Sequence, residues 1–570
     1  MNRSHLAVKL FAISLFLLLS APLRAQQNDV ESRAMRDEMQ RSMKQLHLDS
    51  ADSPQPPYYI AYKITDTDRK EAQAAFGSLT SSGETRSRVL SVTVRVGSYD
   101  VDNSNRAGVG DIMALLAALG SGTNILPIDD NYDELRRKIW LATDSAYKKA
   151  VEDLSAKKAA QQNKNRNETI SDFSVEPARQ ESEILPPVNE KLTDAEHLVK
   201  AVSGVFRTLP SVQTSSTQFE ISNTTERFLN SEGTTYTRQV PELDFHAKAS
   251  VQNSTGEIFN DSYSAYGRSL SDLPTDAALV HEAQVVSDRL SARIKGHATK
   301  HYNGPVLFLG QSSAELFARY FANLLAAHAR ASSDSGNPFL SSLISGSTAS
   351  LLEKMGSRVL PDFLTVVDNP QLTQSDGHPL FGNYKFDEEG TPSQETVIVK
   401  DGILKRLLTS RTPARGMPQS TGNMRERGVL PGNLFMDASK TASSDELKAQ
   451  LLDLVKARDL EYGIIIRRLA GNTAVEASRV YPDGHEEVLR NARVTEVTAA
   501  SFKDIIAVSK ERTVFTDRAA VTSFLNLSPA GGGDLITYVV PAMLFEDMTV
   551  EHVPNDSPKL PATPTPFASE

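Results

Sequence analysis

Two long segments with a shared pattern constrain the fold of this chain more than anything else in it. "VQTSSTQFEISNTTERFLNSEGTTYTRQ", beginning at Val212, and "DFHAKASVQNSTGEIFNDSYSAYG", beginning at Asp244, are rich in β-branched and aromatic residues. Each is broken by turn chemistry, at Asn230-Ser231-Glu232-Gly233 and at Ser254-Thr255-Gly256. Strands separated by short polar turns with glycine make hairpins, so this region predicts an antiparallel sheet. Upstream, "PPYYIAYKITDTD" and "TRSRVLSVTVRVGSYDVDN" read as further strands, with period-two stretches.

Helices alternate with these strands. Residues 29–48 carry apolar and charged residues at helical spacing. Residues 129–165 read as one long helix with an acidic start and a basic end, the order the helix dipole favours. Residues 161–192 are polar with prolines and predict a surface loop. "DAEHLVKAVSGVFRTL" is a helix. A further helix is capped by Thr275 and ended by Gly296, with Leu279, Ala283, Val286, Leu290 and Ile294 as its core stripe. From Asn303 the chain is strand-rich. "GPVLFLG" reads as a buried strand, and "SSAELFARYFANLLAAHAR" as a helix opened by a capping box of Ser312 with Glu315.

Composition narrows the function. At 570 residues, 39% hydrophobic and 23% charged, the chain has material for more than one core. A net charge of -10 without a long basic run argues against a nucleic-acid partner. With no cysteine, no disulfide forms and no thiolate can act as nucleophile or metal ligand. Residues 1–25 read as a secretory signal: Arg3 and Lys9, an apolar run from Leu10 to Leu19, then Ala21 and Ala25. That run falls short of the roughly 20 residues a spanning helix needs. The expectation is an exported protein, periplasmic or extracellular, with no membrane span after cleavage.

Metal motifs fail on spacing. His281-Glu282 starts like a helical zinc site, but the second-ligand positions hold Val285 and Val286, and the register turns His281 away from the core. His297 and His301 are four apart, yet Gly296 precedes them and Asn303-Gly304-Pro305 follows. His485-Glu486 follows Pro482-Asp483-Gly484, which is turn chemistry, while His328 and His378 have no partner histidine nearby in sequence. "SPAGGGD" lacks the flanks of a phosphate loop and reads as a flexible loop. Asp387, Glu388 and Glu389 crowd together before a glycine; such carboxylates bind a cation, tune one another, or simply form an acidic turn.

In order, "GPVLFLGQSSAELF", "RVLPDFLTVVDNPQL", "FDEEGTPSQETVIVKDGILKRLLTSRTPARGMPQSTGN", "PGNLFM" and "VVPAMLFEDMTV" carry a pattern more specific than any one motif. The chain resembles the TldD/PmbA family of metallopeptidases and their partner subunits over Asn303 to Val550. In the peptidase branch, a His-Glu-x-x-x-His helix follows the "GPVLF"-type strand, and a later cysteine completes the zinc site. Here that helix keeps Glu315 without paired histidines, and cysteine is absent. The chain therefore looks like the PmbA-type branch.

The resemblance implies no catalytic residue, no cofactor, and zinc only in a partner subunit. It implies a dimer with a sibling TldD-type subunit or with itself, enclosing a chamber for extended or unfolded peptide. Ser420, Thr421, Gly422 and Asn423 of "PQSTGN", with Asp387 and Glu388, are the candidate substrate contacts; the plainer reading of "PQSTGN" is a turn held by its own hydroxyls. Two rivals remain: a divergent metallopeptidase with ligands from distant segments, and a peptide-binding scaffold. The expected fold class is α+β. After the signal at 1–25 come an N-terminal extension of strands and long helices (26–192), the rest of an N-terminal α+β domain (193–302), a C-terminal domain rich in antiparallel strands (303–552) and a disordered tail (553–570).

Overall fold

The computed structural model describes residues 29–47, 55–107, 125–162, 170–327, 332–333, 351–426, 428–519, 533–552, 561 and 563. The expected signal at 1–25, His328, most of "SPAGGGD" and nearly all of the expected tail lie outside the described residues. The architecture is α+β.

The N-terminal sheet contains β1 (Pro57–Ala75), β2 (Ser78–Val96), β3 (Gln180–Ile184), β4 (Val212–Asn230), β5 (Thr235–Gln252) and β6 (Ile258–Gly267). Its order is β2-β1-β4-β5-β3, with β6 beside β5. Three strands from before residue 192, β1, β2 and β3, thus share a sheet with the two predicted hairpins: β1 pairs with β4 from Ala61↔Asn230 to Ala74↔Thr217. Four helices cover one face: α1 (Val30–Gln45), α2 (Tyr132–Gln162), α3 (Leu192–Gly204) and α4 (Asp276–Lys295).

The period of two decides what each face of the sheet meets. On β1, Ile60, Tyr62 and Ile64 enter the core beneath α1 and α2, and Ala72 and Ala74 enter the one beneath α3 and α4. On β5, Phe245, Ala247, Ala249 and Val251 join that second core. The alternate residues Glu242, Asp244, His246 and Lys248 are left for the opposite face. The α4 stripe falls as the sequence predicts: Leu279, Ala283, Val286 and Leu290 are buried and His281 is exposed.

The stretch 161–192 departs from the expected loop. β3 pairs parallel with β5, and Phe173 is 2% exposed, packed with Tyr59, Phe228 and Phe386. Its aromatic anchor outweighs the polar residues around it.

The C-terminal sheet is built around β16 (Leu535–His552). In chain order it contains β7 (Tyr302–Phe308), β8 (Leu364–Asp368), β9 (Thr396–Lys400), β10 (Asn433–Ala438), β11 (Gly463–Ala470), β12 (Thr473–Val480), β13 (Glu486–Arg490), β14 (Ala492–Thr495) and β15 (Ile505–Arg518). β16 pairs antiparallel with β7, β14 and β15 and parallel with β10. Helix α5 (Gln311–Tyr320) packs on one face through Leu316 and Phe317, and α6 (Ser444–Ala457) on the other through Leu447 and Leu451.

The expected capping box at Ser312 does not form. Gly310, at φ +58°, turns the chain out of β7 and is itself the N-cap, so Ser312 already lies inside the first turn. Its hydroxyl donates to the carbonyls of Leu309 and Ile466, at 2.9 and 2.7 Å. The helix also ends at Tyr320, short of the expected span.

Candidate functional site

A cavity of about 1400 Å³ lies between the two sheets. One wall is β6 with the outward face of β5; the other is α5 with β11, β15 and β16. Two strand edges border it. Among the described residues, β6 is paired only by β5, and β15 from Thr513 to Arg518 only by β16. Arginines cap part of the β6 edge: Arg293 Nη1 donates to Asn260 O at 2.9 Å, and Arg468 Nη1 to Ser262 O at 3.0 Å.

Glu315 stands in the cavity wall on α5. Its carboxylate accepts the Leu469 N–H at 2.5 Å and Gln311 Nε2 at 2.7 Å. Burial pushes its pKa up from 4.5 to about 7, against those hydrogen bonds, which favour the carboxylate. It therefore exchanges a proton near neutral pH.

Across the cavity, His246 of β5 bridges two groups. Its Nε2 is 2.5 Å from Asp244 Oδ1, and its Nδ1 is 2.7 Å from Ser264 Oγ on β6. Burial would raise the Asp244 pKa, but His246 and Arg518 overcome it and hold the carboxyl below its usual range. Arg518 Nε donates to Asp244 Oδ2 at 2.7 Å and its Nη2 to Glu242, tying β15 to the N-terminal sheet.

The residues expected to touch substrate lie outside the lining of this cavity and are engaged by the protein itself. Thr421 and Asn423 are fully buried and Ser420 is 5% exposed. Thr421 Oγ1 accepts the Thr409 N–H at 2.7 Å, and Ser420 Oγ accepts the Gly422 N–H at 3.0 Å. Asn423 Nδ2 donates to Asp368 Oδ2 at 2.7 Å and Leu430 O at 3.1 Å. Gly422, at φ +72°, passes so close to Pro392 that an added Cβ would stand 2.2 Å from its carbonyl oxygen. These are the contacts that the plainer reading of "PQSTGN" expects.

Asp387 and Glu388 likewise have partners within the protein. Asp387 accepts backbone N–H groups of Glu389, Thr391 and Met424 at 2.9, 2.9 and 3.1 Å. Glu388 is ion-paired with Lys63 of β1 and Arg238 of β5. Local sequence could not show this, because its partners lie 325 and 150 residues away. What the sequence reading missed were Lys248, Arg319, Arg468 and Arg518, the lysine and arginines of the cavity wall. The signal available was their position: Arg319 follows Glu315 by one helical turn.

Among the described residues, none of the histidines considered above assembles a metal site. His297 lies in a two-residue strand, and both it and His301 are exposed, nearest to Glu487 and Glu551. His485 stacks on Tyr481 beyond the Pro482-Asp483-Gly484 turn. Among the described residues no group of three or more His, Asp or Glu could hold a metal ion. Around Glu315, the two histidine places of a His-Glu-x-x-x-His helix fall on Ala314 and Arg319. Ala314 has no donor atom and Arg319 is cationic, so the family's zinc does not fit there.

Comparison with known proteins places this geometry. Residues 301–552 match the model of the PmbA/TldA metallopeptidase C-terminal domain. A metalloprotease of Methanocaldococcus jannaschii is 30% identical over 172 residues, covering 28% of this chain and 36% of that protein. Metalloprotease PmbA of Escherichia coli O157:H7 is 27% identical over 174 residues, covering 30% and 34%. The chain spans about a third of the length of these curated relatives in the matched region. The solved structure of TldE from Thermococcus kodakarensis shares the fold, with a TM-score of 0.56 at 13% identity over 91% of this chain and 100% of that one.

Proposed function

We propose that this chain, whose residues 301–552 match the PmbA/TldA metallopeptidase C-terminal domain, is the non-catalytic subunit of a peptide-processing complex. The observation that carries this reading is the pair Ala314 and Arg319, which takes both histidine places beside Glu315. The chain would hold extended or unfolded peptide in the cavity between its sheets. The β6 and β15 edges support that role, since an unpaired strand edge recognises backbone rather than side-chain sequence. The partner is a sibling TldD-type subunit, or a second copy of the chain, and any zinc belongs to that sibling. The signal reading of residues 1–25 makes the site of action the periplasm or the exterior. Among the described residues no helix is long and apolar enough to cross a membrane.

Fluorescence anisotropy of labelled unfolded peptides with the purified full chain tests this. Saturable binding, competed by unlabelled unfolded peptide and not by a folded protein, is expected. No binding, either alone or with the sibling subunit present, would overturn it.

A further inference from the structure

We propose that the cavity selects peptides that present carboxylates, a specificity that rests on the peptide-binding reading above. It follows from which polar groups on the cavity wall are already committed. Every lining carboxylate has a donor. Asp261 is engaged by Arg289, at 2.7 and 3.2 Å. Asp272 takes the N–H groups of Arg268 and Ser269 at 2.9 and 2.8 Å. Glu315 takes those of Leu469 and Gln311, and Asp517 takes the Arg518 N–H at 2.8 Å.

Of the lining cations, Arg518 is paired with Asp244 and Glu242, but the other three are not matched in the same way. Lys248 of β5 and Arg319 of α5 are both exposed to the cavity, and neither has a hydrogen bond or ion pair among the described residues. Arg468 spends Nη1 on Ser262 O, 3.7 Å is its nearest approach to Asp261, and its buried Nε has no acceptor among the described residues. The capacity left over is therefore donor capacity with positive charge. It comes from both walls, so one strand lying between the β6 and β15 edges runs past both sets. A carboxylate satisfies such groups better than a neutral amide, because charge-assisted hydrogen bonds are about twice as strong as neutral ones.

The carboxylates have two sources: Asp and Glu side chains, or a free C-terminus. Binding to the full chain is measured with labelled unfolded peptides of one length, either Asp/Glu-rich or their Asn/Gln counterparts, each with a free or an amidated C-terminus. At least one carboxylate-bearing class should bind about tenfold more tightly than the amidated Asn/Gln peptide, the size of one charge-assisted hydrogen bond. That preference should fall as salt rises. It should disappear in the Lys248→Gln, Arg319→Gln double variant and persist in Lys503→Gln, which lies outside the cavity. Preference for a free C-terminus or for acidic side chains identifies the source. Equal affinity for all the peptides overturns the charge selectivity and leaves peptide binding intact; no affinity for any of them overturns both. Both exposed substitutions leave the core untouched, and the salt dependence of the unmodified chain tests the proposal independently of either variant.

Discussion

Arg411 of the C-terminal body grips Glu232 in the β4–β5 turn, with Nη1–Oε2 at 2.6 Å and Nη2–Oε1 at 2.8 Å. The guanidinium is 1% exposed, also donates to Ser174 O, and lies 4.0 Å from the centre of the Phe173 ring. A bidentate arginine pair this dry fixes both distance and orientation, so the hairpin tip and the C-terminal sheet are held as one unit. Arg411→Ala leaves Glu232 without its cation and removes packing from Phe173. Truncating one partner of a buried pair costs about 3–5 kcal/mol. Urea unfolding followed by circular dichroism should show a loss of that order; a change within about 0.5 kcal/mol, the range of ordinary surface substitutions, would contradict the clasp.

Glu388 makes the second clasp, and its contribution depends on pH. Burial alone would raise its pKa, but Arg238 and Lys63 overcome this and lower it from 4.5 to about 2. A carboxyl lowered on folding stabilises the folded state above its unfolded pKa, and that stability is lost as pH falls through the folded value. Glu388→Gln should therefore destabilise most above pH 4.5, with the difference from the parent shrinking toward pH 2. Denaturation curves across that range check it; a difference independent of pH would contradict the ion-pair account.

Glu315 behaves in the opposite sense. Its pKa is raised from 4.5 to about 7, so the folded state favours the protonated acid. The associated stability is present below pH 4.5 and lost as pH rises through 7. Glu315→Gln mimics the neutral form. Its melting temperature should match the parent near pH 4.5 and exceed it at pH 8, and equal melting temperatures at both would show that the buried acid is not held neutral.

At Gly422 a methyl group tests whether "PQSTGN" is structural. The position combines φ +72° with the close approach of the Pro392 carbonyl. The backbone conformation alone costs a non-glycine residue roughly 1–2 kcal/mol, and the clash adds to it. Gly422→Ala should lower stability by about 2 kcal/mol or more without any peptide present. An unchanged melting temperature would reopen the turn as a ligand loop.

Periodic features were legible in the sequence. The β4–β5 and β5–β6 hairpins follow from their turn residues, and the α4 stripe from its spacing. The resemblance over Asn303 to Val550 agrees with the matched domain at 301–552. What the sequence hid was pairing at a distance. A run such as Asp387-Glu388-Glu389 looks like a binding turn until Lys63 and Arg238 are brought to it. Ser420, Thr421 and Asn423 look available until the fold supplies Thr409, Asp368 and Leu430 as their partners. The cavity itself belongs to neither sheet alone, so no local pattern announces Lys248 or Arg319 as neighbours of one space.

In the proposed division of labour this chain binds peptide and leaves the cleavage to a sibling. The most direct test is peptide hydrolysis by the purified full chain, alone and mixed with a TldD-type sibling, with bound zinc quantified in each sample. The account predicts no hydrolysis and no stoichiometric zinc in the chain alone, with chelator-sensitive hydrolysis appearing in the mixture. Chelator-sensitive hydrolysis by the chain alone, with zinc at one equivalent, would contradict it.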